Sequence, residues 1–267
     1  MKFEIIPLLT AQIVTHVDSI CLFPPAEQGF ASEAFHDGYI GDFHWRDGRV
    51  GDAVSLPVII WYIRGASEKI LVDTSFEETR YPDDPEGPQI KPEWGIERSL
   101  SRIGVRPDDI DIVINTHLHT DHFGNNELFR NASFIIQSEE ISAALAPAPW
   151  FPFYSRAKSK HLLNVLERVE SIDGDREIAK GISVYKLGGH TPGSQAVIIG
   201  TGDSKIAIAG DVVPTFFNIE RDWPTGNFWN LSDVINGMQR LRTCRTVLPS
   251  HDWRVWKVYP HGVEVLA

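Results

Sequence analysis

Three imidazoles and a carboxylate fall within six residues of this chain: His117, His119, Asp121 and His122, in the run Asn115-Thr116-His117-Leu118-His119-Thr120-Asp121-His122. A hydrophobic core has no use for that density. His117 and His119, two apart on an extended or turning chain, can point the same way and pinch one cation. Asp121 and His122, as the chain turns into a helix, face a second. Imidazole and carboxylate are the ligand types for zinc and other borderline divalent ions. His190, Asp211 and His251 are three further candidates, each set in a short Gly- or Ser-containing loop. Single histidines elsewhere (His16, His36, His44, His161 and His261) read as surface or satisfied core residues, because a lone histidine is commonly half buried without binding anything.

The candidates share a position relative to the strands that the pattern predicts. Apolar runs at 112–114, 182–187, 205–209 and 246–248 read as strands, and His117, His190, Asp211 and His251 follow them in that order. Loops at strand ends on one edge of a sheet are where layered α/β proteins place their chemistry. The β-branched and aromatic runs 56–64 and 69–73, separated by Gly65-Ala66-Ser67-Glu68, predict a hairpin whose near-continuous apolarity requires cover on both faces. Ile96, Leu100 and Ile103 predict a helix over 93–103 with Gly104 as its stop, and Val234, Ile235, Met238 and Leu241 predict another over 231–241. A strand at 133–137 and a helix at 138–145 lie between, and the amino-terminal apolar run reads as the first strand rather than a signal peptide. Aromatic-rich stretches at 30–45, 150–154 and 216–229 read as irregular.

Composition bounds the partners. Apolar residues make up 42% and charged residues 23%, the usage of an ordered globular enzyme. A net charge of -11 with no basic block disfavours nucleic acid and anionic membrane, and the longest apolar stretch, eight residues from Leu56, is far short of a bilayer span. Cys21 and Cys244 supply neither a disulfide framework nor a zinc knuckle, which fits a reducing cytoplasm.

Val72-Asp73-Thr74, His117-x-His119-x-Asp121-His122, Gly189-His190-Thr191-Pro192-Gly193-Ser194, Ala209-Gly210-Asp211 and Ser250-His251-Asp252 occur in the order found in the metallo-β-lactamase superfamily, which the chain resembles over about 56–255. The resemblance implies a four-layer αβ/βα sandwich, here a single domain over 1–267 with an inserted aromatic-rich loop at about 23–55. It further implies two divalent ions, zinc by first choice with iron, manganese or cobalt as alternatives. His117, His119 and His190 would hold one ion and Asp121, His122 and His251 the other. Asp211 would bridge them, and Asp73 would orient a ligand histidine. Hydroxide held between two cations would attack a polarised carbonyl, so no Ser or Cys nucleophile is needed.

A bridging Asp at position 211 sets the chain apart from the true β-lactamases of that superfamily. Length and the Ser-His-Asp ending look most like lactonases that open N-acyl-homoserine lactones, as used in quorum quenching. A glyoxalase II-type thioesterase is the alternative, and a phosphodiesterase comes third. Those lactonases carry a Tyr three residues after the bridging Asp; Pro214 stands there, so either protonation of the leaving group falls to Asp121 or water, or the substrate is not an acyl-homoserine lactone. Phe216, Phe217, Trp150 and Phe151 are candidates to line a pocket for a small substrate with an apolar part. The reading leaves room for a homodimer.

Overall fold

The computed structural model describes residues 2–22, 37, 39–44, 50–77, 90–91, 93–149, 154 and 156–266. β-Branched and aromatic residues set the strands. Strands β1 (Lys2–His16) and β2 (Tyr39–His44) both run antiparallel to β3 (Val50–Arg64). The expected hairpin then turns through Gly65 into β4 (Ile70–Val72), with Ile63 opposite Ile70. Gly65 has φ 111°, and a Cβ there would lie 2.3 Å from the Lys2 carbonyl oxygen, so only glycine fits this turn. From β4 the ladder continues in parallel through β5 (Ile112–Ile114), β6 (Ser133–Gln137) and β7 (Val169–Ile172).

A second sheet holds β8 (Arg176–Ala179), β9 (Ile182–Lys186), β10 (Gln195–Ile199), β11 (Ile206–Ile208) and β12 (Thr246–Leu248), in the spatial order β12-β11-β10-β9-β8. Strand β13 (Val263–Leu266) returns to the first sheet beside β1.

Alternation along the strands explains the layering. On β3, Ile59, Trp61 and Ile63 point into the space between the sheets, where they meet Val184, Val197, Ile199 and Ile208 from the second sheet. Ile60 and Tyr62 point the other way, against Ile96 and Leu100 of the helix Ile96–Arg102 and Leu162 of the helix Arg156–Val165. Behind the second sheet, Ala196, Ile198 and Ala207 lie under Val234, Met238 and Leu241 of the helix Leu231–Leu241. Helix, sheet, sheet, helix is the expected four-layer sandwich. Each fully buried Ile, Leu or Phe contributes about 1.5–3 kcal/mol to holding the layers together.

Several elements differ from the expectation. Strand β3 begins at Val50, so the span expected as a loop at about 23–55 contains strand at 39–44 and from residue 50 onward. Residues 23–36, 38 and 45–49 of it lie outside the described residues. Strands β7, β8 and β13 are four residues each and are interrupted by Glu170, by Arg176 and Glu177, and by Glu264, which hid them from a search for apolar runs. The stretch 216–229 is not wholly irregular: Phe216–Arg221 is helical, started by a capping box in which Asn218 Oδ1 accepts from the Thr215 amide and hydroxyl. Among the described residues no helix is long and apolar enough to cross a membrane.

A candidate two-cation site

Strands β4 and β5 run parallel, and β9, β11 and β12 share one direction within the second sheet. Their carboxyl ends meet at the edge of the sandwich, and every candidate ligand lies just beyond one of them. After β5 the chain bends at Thr116 and reaches His119 in an extended conformation (φ -72°, ψ 151°), where the helix Thr120–Phe123 begins. That geometry turns His117 and His119 to one side and gives Asp121 and His122 a different facing.

Two groups of side chains result. The ligand atoms of His117, His119 and His190 lie within 4.8 Å of one another, and so do those of Asp121, His122, Asp211 and His251. In the first group, His190 Nε2 is 3.0 Å from His119 Nδ1. In the second, Asp121 Oδ2 is 3.5 Å from Nε2 of both His122 and His251. Asp211 addresses both. Its Oδ1 lies 3.3 Å from His122 Nε2 and 3.2 Å from His251 Nε2, while its Oδ2 lies 3.6 Å from His190 Nε2 and 4.0 Å from His117 Nε2.

The atoms fit cations better than they fit one another. Nε2 of His117 is buried with no hydrogen-bond partner, which a protein interior rarely tolerates, and Nε2 of His122 and His251 meets carboxylate oxygens at 3.2–3.5 Å without good hydrogen-bond geometry. Two ligand atoms each about 2.1 Å from a tetrahedral ion lie about 3.4 Å apart, close to the nitrogen–oxygen separations found here.

Contacts behind the site aim those nitrogens. His122 Nδ1 faces Asp73 Oδ2 at 2.7 Å, His190 Nδ1 the Asn227 carbonyl at 2.7 Å, and His251 Nδ1 the Pro57 carbonyl at 2.8 Å. Each acceptor fixes the proton on Nδ1 and leaves Nε2, the atom a cation would take, turned inward. Asp73 also accepts from the Thr116 amide and hydroxyl, at 2.7 and 2.8 Å, and it holds a left-handed φ of 64° at the end of β4. Ser250 Oγ donates to Asp211 Oδ1 at 2.5 Å. Sequence reasoning gave Thr116 and Ser250 no role, although both adjoin a ligand candidate. The two carbonyls carry no side-chain signal at all.

Electrostatics separate the groups further. Burial, reinforced by neighbouring imidazoles, drives His117 and His119 well below the ordinary histidine value, and burial lowers His190. These rings are therefore neutral and ready to donate lone pairs. Burial also opposes the charge on His122 and His251, but Asp211 and Asp121 outweigh it and raise both. Burial likewise opposes ionisation of Asp211 and Asp121, and the same histidines overcome it, holding both carboxyls below their usual range.

The other candidates fall elsewhere. Phe216 was expected at a pocket; its ring instead sits in the inter-sheet core, 6.4 Å from Tyr259 with the Arg254 guanidinium 5.0 Å away. The Phe216 amide donates to Asp252 Oδ2 at 2.8 Å, which anchors the start of its helix. Phe217 is half-buried against Trp223, beside Val17 and Ile20. Trp150 and Phe151 lie outside the described residues. His161 binds Glu127 and Glu77, and His261 is exposed. The Pro214 carbonyl accepts from the His251 amide at 2.8 Å, locking two ligand loops together.

Residues 55–251 match the model of the metallo-beta-lactamase superfamily. An N-acyl homoserine lactonase of a Bacillus species is 30% identical over 203 residues, 72% of this chain and 78% of that protein. A second N-acyl homoserine lactonase, from Rhizobium radiobacter, is 26% identical over 195 residues, 67% of this chain and 72% of its own length. The crystal structure of a quorum-quenching N-acyl homoserine lactone lactonase superposes with a TM-score of 0.74 at 23% identity, covering 98% of each chain. With a family match that spans its strand-end ligand motifs, this chain belongs to the metallo-beta-lactamase superfamily.

Proposed function

We propose that the chain is a dinuclear metal-dependent hydrolase that opens the ring of an N-acyl homoserine lactone or a similar lactone. The observation that carries this reading is Asp211, whose two oxygens face the two ligand groups separately. His117, His119 and His190 would hold one cation, Asp121, His122 and His251 the other, and Asp211 both, with zinc as the metal of choice for this donor set. When bound, the two cations supply a water acidified to hydroxide near neutral pH and polarise the ester carbonyl.

The chain's own residues then orient and carry protons. Ser250 fixes the rotamer of Asp211, so the bridging carboxylate is committed. Among the described residues Asp121 Oδ2 lies 3.5 Å from Nε2 of both His122 and His251, with no hydroxyl partner like the one Ser250 gives Asp211, so Asp121 would carry the attacking water's proton to the alkoxide oxygen that leaves the carbonyl. Pro214 offers no hydroxyl for that task.

Trp229, 36% exposed, donates its amide to the Gly189 and His190 carbonyls and so places apolar surface beside a ligand loop. Together with Phe217, Trp150 and Phe151, it is a proposed contact for an acyl substituent, worth about 25 cal/mol for each Å2 buried. The two buried free cysteines accord with a reducing cytoplasm.

The test is kcat/KM across acyl-homoserine lactones of rising chain length, simple γ- and δ-lactones, S-lactoylglutathione and bis-(p-nitrophenyl) phosphate. Acyl lactones should lead, with rates rising with acyl length. A tenfold preference for S-lactoylglutathione, about 1.4 kcal/mol in transition-state binding, would replace the lactonase with a thioesterase.

A further inference from the structure

We propose that Glu140 is a positioning residue for the three-histidine group, tying the loop of His117 and His119 to the loop of His190, with Tyr154 completing the tie. The inference rests on the two-cation reading above. Glu140 stands in the first turn of the helix Ser138–Leu145 and has no solvent exposure. Its Oε1 accepts from the Leu118 amide at 2.7 Å and from the Tyr154 hydroxyl. Its Oε2 accepts from Thr191 Oγ1 at 2.7 Å and from the Gly193 amide at 2.9 Å.

Those four donors come from three separate parts of the chain. Leu118 sits between His117 and His119, after β5 in the first sheet; Thr191 follows His190, after β9 in the second. One carboxylate therefore spans the seam across which the three imidazoles must converge. The approach is close: a Cβ on Gly193 would lie 2.4 Å from the Glu140 amide nitrogen and 2.5 Å from its Cβ. Tyr154 adds a flank, with its ring centroid 5.4 Å from that of His119.

Donor chemistry also argues for the tie. The four hydrogen-bond partners are two amides and two hydroxyls, so the buried carboxylate is satisfied by neutral donors. An apolar residue would fill the space at lower desolvation cost. What it could not do is accept from both loops at once. A cation site holds its ligand distances to within about 0.2 Å of standard values, so a fixed separation of the two loops acts directly on the first group.

The experiment compares wild type, Glu140→Gln and Tyr154→Phe by chelator competition with Zn2+ and by the visible spectrum of the Co2+-loaded protein, alongside thermal melting of the metal-free forms. Glutamine presents an N–H2 to two of the four donors and should weaken binding at the three-histidine group by about 10–100-fold, as loss of an outer partner does. The second group should keep its affinity, and the cobalt spectrum should change in the component assigned to the weakened ion. Tyr154→Phe removes one donor and should give a smaller loss at the same group. If Glu140→Gln does not fold, Tyr154→Phe carries the test, with selective loss expected. Equal loss at both groups, or no loss at either, would overturn the tie. Wild-type protein that binds a single cation would instead contradict the two-cation reading, and the tie with it.

Discussion

Asp211→Asn should lower lactone turnover by about a thousandfold or more, beyond the 10–100-fold typical of losing an outer-shell partner. The asparagine amide has one acceptor oxygen, so it can serve the His122–His251 side or the His117–His190 side, but not both. It also removes an anion from a cluster of imidazoles, raising the repulsion between two bound cations. Ser250, which donates to Oδ1, can still bond the amide oxygen, so the loop keeps its shape. Circular dichroism should therefore match wild type while metal content falls below two per chain. Wild-type turnover in a variant with one ion would show that the bridge is not needed.

The second large effect is expected at Asp73→Asn, with cation affinity at the His122 side falling about 10–100-fold. Asparagine tolerates the left-handed backbone at this position and keeps the side chain's shape. The chemistry changes. Oδ1 can still accept from the Thr116 amide, but an N–H2 now meets His122 Nδ1 and drives the ring proton to Nε2, the atom aimed at the cation. A titration with Zn2+ in competition with a chelator reads the loss. Unchanged affinity would mean that Asp73 serves only to end β4.

Much of this arrangement was legible in residue order, and the reason is local. His117 and His119 take their common facing from extended backbone, and Asp121 and His122 take theirs from the first turn of a helix, so period and spacing alone describe them. His190, Asp211 and His251 were placed by the strands before them, whose apolar runs survive burial on both faces. What escaped depends on contacts across the fold. Pro57 and Asn227 act through carbonyls, which every residue has, and no pattern marks the ones that a distant imidazole will meet. Phe216 looked like pocket lining because it follows Asp211 in an aromatic run. Its ring lies in the core, and its amide donates to Asp252 Oδ2, more than thirty residues later, a contact that no local pattern announces. The helix Arg156–Val165 exposes Leu163 as well as polar residues, and β7 and β8 are short with exposed Glu170, Arg176 and Glu177, so none gave a clear periodic signal.

The central claim, two cations sharing Asp211 in one hydrolytic site, is tested most directly by reconstitution. Protein stripped with a chelator should not open an N-acyl homoserine lactone. Stepwise addition of Zn2+ should restore activity along a curve that saturates at two equivalents per chain. Saturation at one equivalent, or full activity in the stripped protein, would contradict the account.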